Sequence, residues 1–254
     1  MYANYHTHTK RCNHATGEMC EYVEEAIKSG KKILGFSDHS PYIFDGNYYS
    51  TFRMTPNETE QYVRETAKLR EEYKNDIKIY TGFEMEYYPT FFEGTINFLK
   101  QFDYDYLILG QHALNDEYNG AYTYNAMTTA DDLVLYVKQT IEAMETGEFL
   151  YLAHPDVIYF HEDLVLYKQE MEKLCIRAKE LSIPLEINLL GMSENRRYPF
   201  DAFWEIAKKV GNDVVLGCDA HSPEALNNKE VEKKAVEYAS IFGFTPLKEL
   251  NIGE

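Results

Sequence analysis

The chain has 254 residues, 44% of them hydrophobic, which suits one large α/β domain over residues 1–254 better than two small ones. A formal net charge of −17 argues against nucleic acid as a general partner, because phosphate backbones call for clustered Lys and Arg. No apolar run approaches the ~20 residues of a membrane-spanning helix. No basic-then-apolar leader precedes the histidine-rich stretch that begins at Asn4, so no membrane contact and cytoplasmic residence are expected.

Short β-branched or aromatic runs alternate with longer stretches of helical periodicity. A first strand is predicted over Asn4 to His8, with a helix from about Met19 to Ser29. The second strand, Ile33 to Ser37, leads through a Tyr-rich loop to a helix from about Asn57 to Tyr73. A third, Ile77 to Phe83, precedes a helix around Phe92 to Lys100. The fourth, Tyr104 to Leu109, is followed by a helix from about Ala130 to Thr146. Phe149 to Ala153 reads as the fifth strand, with a helix from about Leu164 to Leu181. The sixth, Pro184 to Asn188, precedes a helix from about Phe200 to Lys209, and the seventh, Asp213 to Cys218, leads to a helix from about Pro223 to Phe242. Gly30, Gly147 and Gly211 supply helix stop signals. Repeated βα units imply parallel strands with right-handed crossovers, in an open doubly wound sheet or a closed barrel.

The chemistry gathers at the predicted strand ends. His6 and His8 close the first strand, Asp38 and His39 the second, and Glu84 the third. His112 follows the fourth and His154 ends the fifth. Glu186 and Asn188 lie in the sixth, and Asp219 and His221 end the seventh. In a βα barrel these ends meet on one face, so seven of the eight histidines converge, counting His14; His161 is left out. Residues two apart on a strand point the same way, so His6 with His8, and Asp219 with His221, can each grip one ion. A lone histidine at a strand end is more often a hydrogen-bonded structural residue. Seven histidines with two carboxylates are hard to bury as packing, because desolvating them without ions is costly. Imidazole with carboxylate suits zinc, iron or manganese better than magnesium or calcium. The four scattered cysteines Cys12, Cys20, Cys175 and Cys218 form no C-x-x-C pair and read as reduced thiols.

At these residues the chain resembles the polymerase-and-histidinol-phosphatase (PHP) family. His6-Thr7-His8-Thr9 with His14, Ser37-Asp38-His39-Ser40, His154-Pro155 and Cys218-Asp219-Ala220-His221-Ser222 resemble its four motifs in order. Arg53-Met54 and Gly82-Phe83-Glu84-Met85-Glu86-Tyr87 resemble the histidinol-phosphatase branch more narrowly. The resemblance implies a distorted seven-stranded, TIM-like (β/α)7 barrel carrying two or three divalent metal ions. His6, His8, Glu84 and Asp219 would hold the first ion. Glu84 would bridge to a second, also held by His112 and His154, and His14, His39 and His221 would hold the third.

The implied reaction is hydrolysis of a small phosphomonoester, L-histidinol phosphate, to L-histidinol and phosphate, by water that the ions activate. No Ser or Cys nucleophile is required. Asp219 or His221 would relay protons, and Asp38 would either join them or orient a ligand. The loop after His154 lacks the arginine of some relatives, so Arg196 and Arg197 become candidates for phosphate binding, with Arg53, Lys10 and Arg11 behind them. Glu186, Asn188 and the loop around Tyr42, Tyr48 and Tyr49 are candidates for a pocket that takes an amine and an imidazole. Glu86 shares the face of Glu84 and is a candidate supporting or substrate-binding carboxylate. Other readings of the same residues are a phosphoesterase for phosphotyrosine, a sugar phosphate or a nucleotide, metal-dependent amide or ester hydrolysis, and a noncatalytic metal-binding module.

Overall fold

The computed structural model describes residues 1–46, 48–125 and 128–253. Four parallel strands, β1 (Ala3–Asn4), β2 (Ile33–His39), β3 (Lys78–Met85) and β4 (Tyr106–Leu109), form a curled half-barrel in sequence order. A second parallel pair is made by β5 (Leu185–Asn188) and β6 (Val214–Gly217). All seven residues of β2 are buried, as expected of a parallel strand covered on both faces.

Eight α-helices accompany the strands among the described residues: α1 (Met19–Lys28), α2 (Thr59–Glu72), α3 (Phe92–Leu99), α4 (Ala130–Glu145), α5 (Leu164–Glu180), α6 (Leu189–Ser193), α7 (Asp201–Val210) and α8 (Lys229–Ile241). Their starts and inward faces follow from local sequence. In α1 the buried residues Met19, Tyr22, Val23 and Ala26 fall at helical spacing, so one stripe meets the core. Thr129 caps α4 by accepting from the Asp132 N–H, while Asp132 accepts in return from the Thr129 N–H at 2.8 Å. Asp163 does the same for α5 through the N–H groups of Val165 and Leu166. Among the described residues no helix is long and apolar enough to cross a membrane.

Two of the predicted strands depart most from expectation. The segment Phe149 to Ala153 is not a strand but makes single parallel bridges from Leu152 to Leu109 and to Leu185. Its neighbours still use its backbone: Ala153 donates to the Leu109 carbonyl at 2.8 Å, and Glu186 donates to that of Leu152 at 3.0 Å. The first strand stops at Asn4, and beyond it Thr7 makes a single parallel bridge to Ala220. The regular ladder gives way where this stretch turns its imidazoles inward. The short helix α6, unforeseen in the sequence, starts where the Asn188 side chain accepts from the Gly191 N–H.

Candidate metal centre

The register of β2 on β3 sets His39 directly beside Glu84. The segment after β1 brings His6 and His8 against the same carboxylate, and the segment after β6 brings Asp219 against both rings. Glu84 Oε1 lies 2.9 Å from His154 Nε2 and 3.5 Å from the Nε2 atoms of His6 and His112. Its other oxygen, Oε2, lies 3.1 Å from His39 Nδ1 and 3.5 Å from His8 Nε2. Asp219 Oδ1 stands 3.1 Å from His8, 3.5 Å from His6 and 3.4 Å from His221. His14 joins through His221, their Nε2 atoms 3.0 Å apart. All nine residues expected to be ligands therefore fall in one continuous cluster. His161 stays apart, packed on Tyr159 and Phe200.

The cluster is built for something other than hydrogen bonding within itself. Buried ring nitrogens of His6, His8, His39 and His154, and Glu84 Oε2, have no hydrogen-bond partner. Leaving so many polar atoms unpaired in a dry interior is costly, and divalent cations among them would remove that cost. Several triads, including His6–Glu84–His154, His6–His8–Asp219, His8–His39–Glu84 and His14–His39–His221, place three donor atoms within 4.8 Å of one another. Such imidazole–carboxylate sets fit a divalent metal ion.

Electrostatics sorts the donors. Burial alone would raise the carboxyl of Glu84, but His112, His6 and His39 hold it well below the ordinary range; His6 and His8 do the same for Asp219. Burial drives His39 well down, lowers His14, and takes His221 to about 3 with help from the charge of His8. These shifts favour the neutral form of all three rings, the form whose lone pair a cation needs. Burial also works against charge on His8, yet the neighbouring carboxylates of Asp219 and Asp38 lift it to about 9. The surrounding carboxylates raise His6 and His112 as well, against the cost of burial, so cations would compete with protons for these rings.

Carboxylates also stand behind the candidate ligands. Asp38 lies 3.5 Å from His8 Nδ1, with its oxygens accepting from the N–H groups of His39 and Thr9 and from the Thr9 hydroxyl. That arrangement suits orienting His8 better than the proton-transfer role also expected for it. Glu86 accepts from His112 Nδ1 at 2.9 Å and pairs with Arg53. Glu186 and Asn188 do not form a substrate pocket, as first expected; both are enclosed behind His6. Their inward, alternate placement on one strand is the same period-2 signal that marks His6 and His8, and it points to a supporting role. Cys12, read from sequence as an incidental thiol, lies with His8 and His221 in another potential donor triad.

The arginines differ from expectation. Arg53 is 2% exposed, with every guanidinium nitrogen engaged by Glu117, Glu86 or the Ser40 carbonyl, so it does not fit a phosphate-binding role. Arg197 stacks over Tyr159. Arg196 pairs with Glu194 and donates to the Tyr198 hydroxyl at 3.0 Å; the Tyr198 ring lies 5.8 Å from that of His154. Lys10 and Arg11 pair with Glu18 and Glu65. Tyr42 is buried, its hydroxyl on the Glu86 carbonyl, whereas Tyr49 is 79% exposed.

A parallel α/β sheet with histidines and carboxylates gathered at its strand ends defines a metal-centred hydrolase type of site. The match of residues 4–189 to the PHP domain makes the chain a member of the PHP family. It is 26% identical over 232 residues to a probable histidinol-phosphatase of Deinococcus radiodurans, covering 86% of this chain and 85% of the relative. It is 21% identical to the histidinol-phosphatase of Lactococcus lactis over 86% of this chain and 83% of that one. The fold is similar to a crystal structure of the Lactococcus lactis histidinol phosphate phosphatase complexed with zinc, L-histidinol and phosphate, with a TM-score of 0.72 at 18% identity, covering 98% of each chain. A crystal structure described as the putative histidinol phosphatase of Listeria monocytogenes gives 0.73 at 18% identity, covering 91% of this chain and 99% of that one.

Proposed function

We propose that the chain is a metal-dependent phosphomonoesterase that hydrolyses L-histidinol phosphate to L-histidinol and inorganic phosphate, a step of histidine biosynthesis. The observation that carries this reading is the cluster of seven imidazoles around Glu84 and Asp219 with its unpaired buried donors. The substrate is supported by relatives that are named histidinol-phosphatases and match over most of their length.

Two or three divalent ions, zinc before iron or manganese, are proposed for the cluster. Zinc is favoured because it is the ion of the Lactococcus lactis complex. His6, His8, Glu84 and Asp219 form one proposed ligand set, Glu84, His112 and His154 a second, and His14, His39 and His221 a third. The bridging role of Glu84 is supported by its two oxygens, which face different histidines. Bound ions would supply Lewis-acid charge to the phosphate oxygens and lower the pKa of a water molecule.

The chain's own side chains do the remaining work. Asp38 keeps His8 turned to the cluster and Glu86 keeps His112 there. Arg196, held on Tyr198 beside His154, is the proposed phosphate-facing cation, joined by Arg197 only if its stack on Tyr159 opens. Asp219 or His221, 3.4 Å apart, is the proposed relay that passes a proton from water to the departing alkoxide. For the fold, we propose closure into a seven-position barrel. The single bridges at Leu152 and between Thr7 and Ala220 support it, joining the half-barrel to the β5–β6 pair on both sides. A core running from Met19 to Phe242 supports one domain. The net charge of −17 argues against nucleic acid as a partner while leaving room for a small phosphorylated metabolite, and cytoplasmic residence without membrane contact is proposed with it.

A phosphate-release panel on zinc-reconstituted protein tests this reading. Histidinol phosphate should give the highest kcat/KM, ahead of phosphotyrosine, sugar phosphates and nucleotides. Equal rates across the panel, or none on histidinol phosphate, would reject the substrate assignment.

A further inference from the structure

Behind the ring of His6, on the edge opposite Glu84 and Asp219, lies Glu186, 0% exposed. Its carboxylate is fully occupied. Oε1 accepts from His6 Nδ1 at 2.9 Å and from the Tyr151 hydroxyl at 3.3 Å. Oε2 accepts from the His154 backbone N–H at 3.0 Å and from Asn188 Nδ2 at 3.0 Å. A carboxylate offers about four acceptor positions, so none is left for an ion or a substrate.

Asn188 extends the contact. Its second amide hydrogen goes to Asp219 Oδ2 at 3.1 Å, and its Oδ1 accepts from the Gly191 N–H, which fixes the way the amide faces. His154 and Asp219 both have positive φ, 28° and 50°, a conformation that side chains other than glycine adopt only where the surroundings hold them. The neighbouring strand leaves space for this: a Cβ on Gly217 would lie 1.6 Å from Glu186 Oε1.

We propose that Glu186, with Asn188, is the positioning residue of the metal centre. It holds His6 as the Nδ1–H tautomer with Nε2 turned to the ions, fixes the backbone of His154, and through Asn188 fixes Asp219. This rests on the metal-centre reading above and assigns Glu186 no contact with substrate. A carboxylate behind a metal-binding imidazole sets its tautomer and its basicity, and loss of such a partner typically costs 10–100-fold in metal affinity.

Glu186→Gln separates positioning from packing, because the amide has the same shape with only one acceptor. Either its NH2 group faces His6 Nδ1 and drives the proton to Nε2, or it meets the N–H groups of His154 and Asn188, donor against donor. The measurement is zinc affinity by competition with a colorimetric chelator, beside circular dichroism of the same samples. Glu186→Gln should bind zinc at least tenfold more weakly with an unchanged spectrum. Glu186→Asp, which keeps both acceptors, should recover part of the loss. Wild-type protein that binds no zinc overturns the metal centre and this inference with it. Wild type that binds zinc while Glu186→Gln binds within twofold of it overturns the positioning role alone. If Glu186→Gln does not fold, 15N imidazole spectra of zinc-loaded wild type decide. The Nδ1–H tautomer at His6 supports the role, and the Nε2–H tautomer refutes it.

Discussion

Gly110, just after β4, has no direct chemical role, yet replacing it should damage the centre. A Cβ built there lies 2.0 Å from Glu84 Oε1, 2.7 Å from Cδ and 2.8 Å from Cγ, where real Cβ contacts under 3.0 Å essentially never occur. The Glu84 carboxylate must therefore retreat by about 1 Å or more in Gly110→Ala. Oε1 is the atom that faces His154, His6 and His112, so the whole ligand group loses its register. A misplacement of about 1 Å at a reacting centre costs roughly 10²-fold in rate, or about 2.7 kcal/mol of barrier. Overpacking would take a further ~1–3 kcal/mol from stability. Steady-state kinetics on histidinol phosphate, with zinc content by mass spectrometry and a urea melt, separates these effects. The expected outcome is a kcat lower by about two orders of magnitude in a folded protein. A kcat within threefold of wild type, with full zinc content, would refute the reasoning.

Three further outcomes follow from individual contacts. Arg53→Met leaves Glu86 and Glu117 buried without their cation, and breaking a buried pair in this way costs about 3–5 kcal/mol. Urea midpoints should fall accordingly, and an unchanged midpoint would contradict the buried network. Arg196→Ala should raise KM for histidinol phosphate about tenfold or more with zinc content preserved; an unaltered KM would place the anion clamp elsewhere. At Glu232, burial raises the carboxyl, but the hydrogen bond and charge of Lys31 outweigh it and hold the pKa below the usual value. A depressed carboxylate contributes stability above its ordinary pKa and loses it as pH falls through the folded value. The deficit of Glu232→Gln should be full at pH 7 and shrink below about pH 4.5; a deficit independent of pH would count against the pairing.

Much of the fold was readable because its signals are local. Helices such as α1 and α5 announce themselves through the spacing of buried residues and through Asp163 as a cap. The clustering of the candidate ligands was readable for a related reason: they follow strands, where a period of two aims alternate residues at one site. What was missed depends on partners far apart in sequence. Arg53 looks like a free cation until the fold brings Glu117 to it across 64 positions. Glu186 looks like a pocket residue until His6, 180 positions away, is set against it. The segment Phe149 to Ala153 has the composition of a strand, but only Leu152 makes bridges on both sides.

That the cluster holds the ions that perform the reaction is tested most directly by titrating chelator-stripped protein with zinc while phosphate release from histidinol phosphate is followed. Activity should be absent at the start, rise with added zinc and level off at two or three equivalents per chain. Full hydrolysis by the stripped protein, or zinc binding that brings no activity, would contradict it.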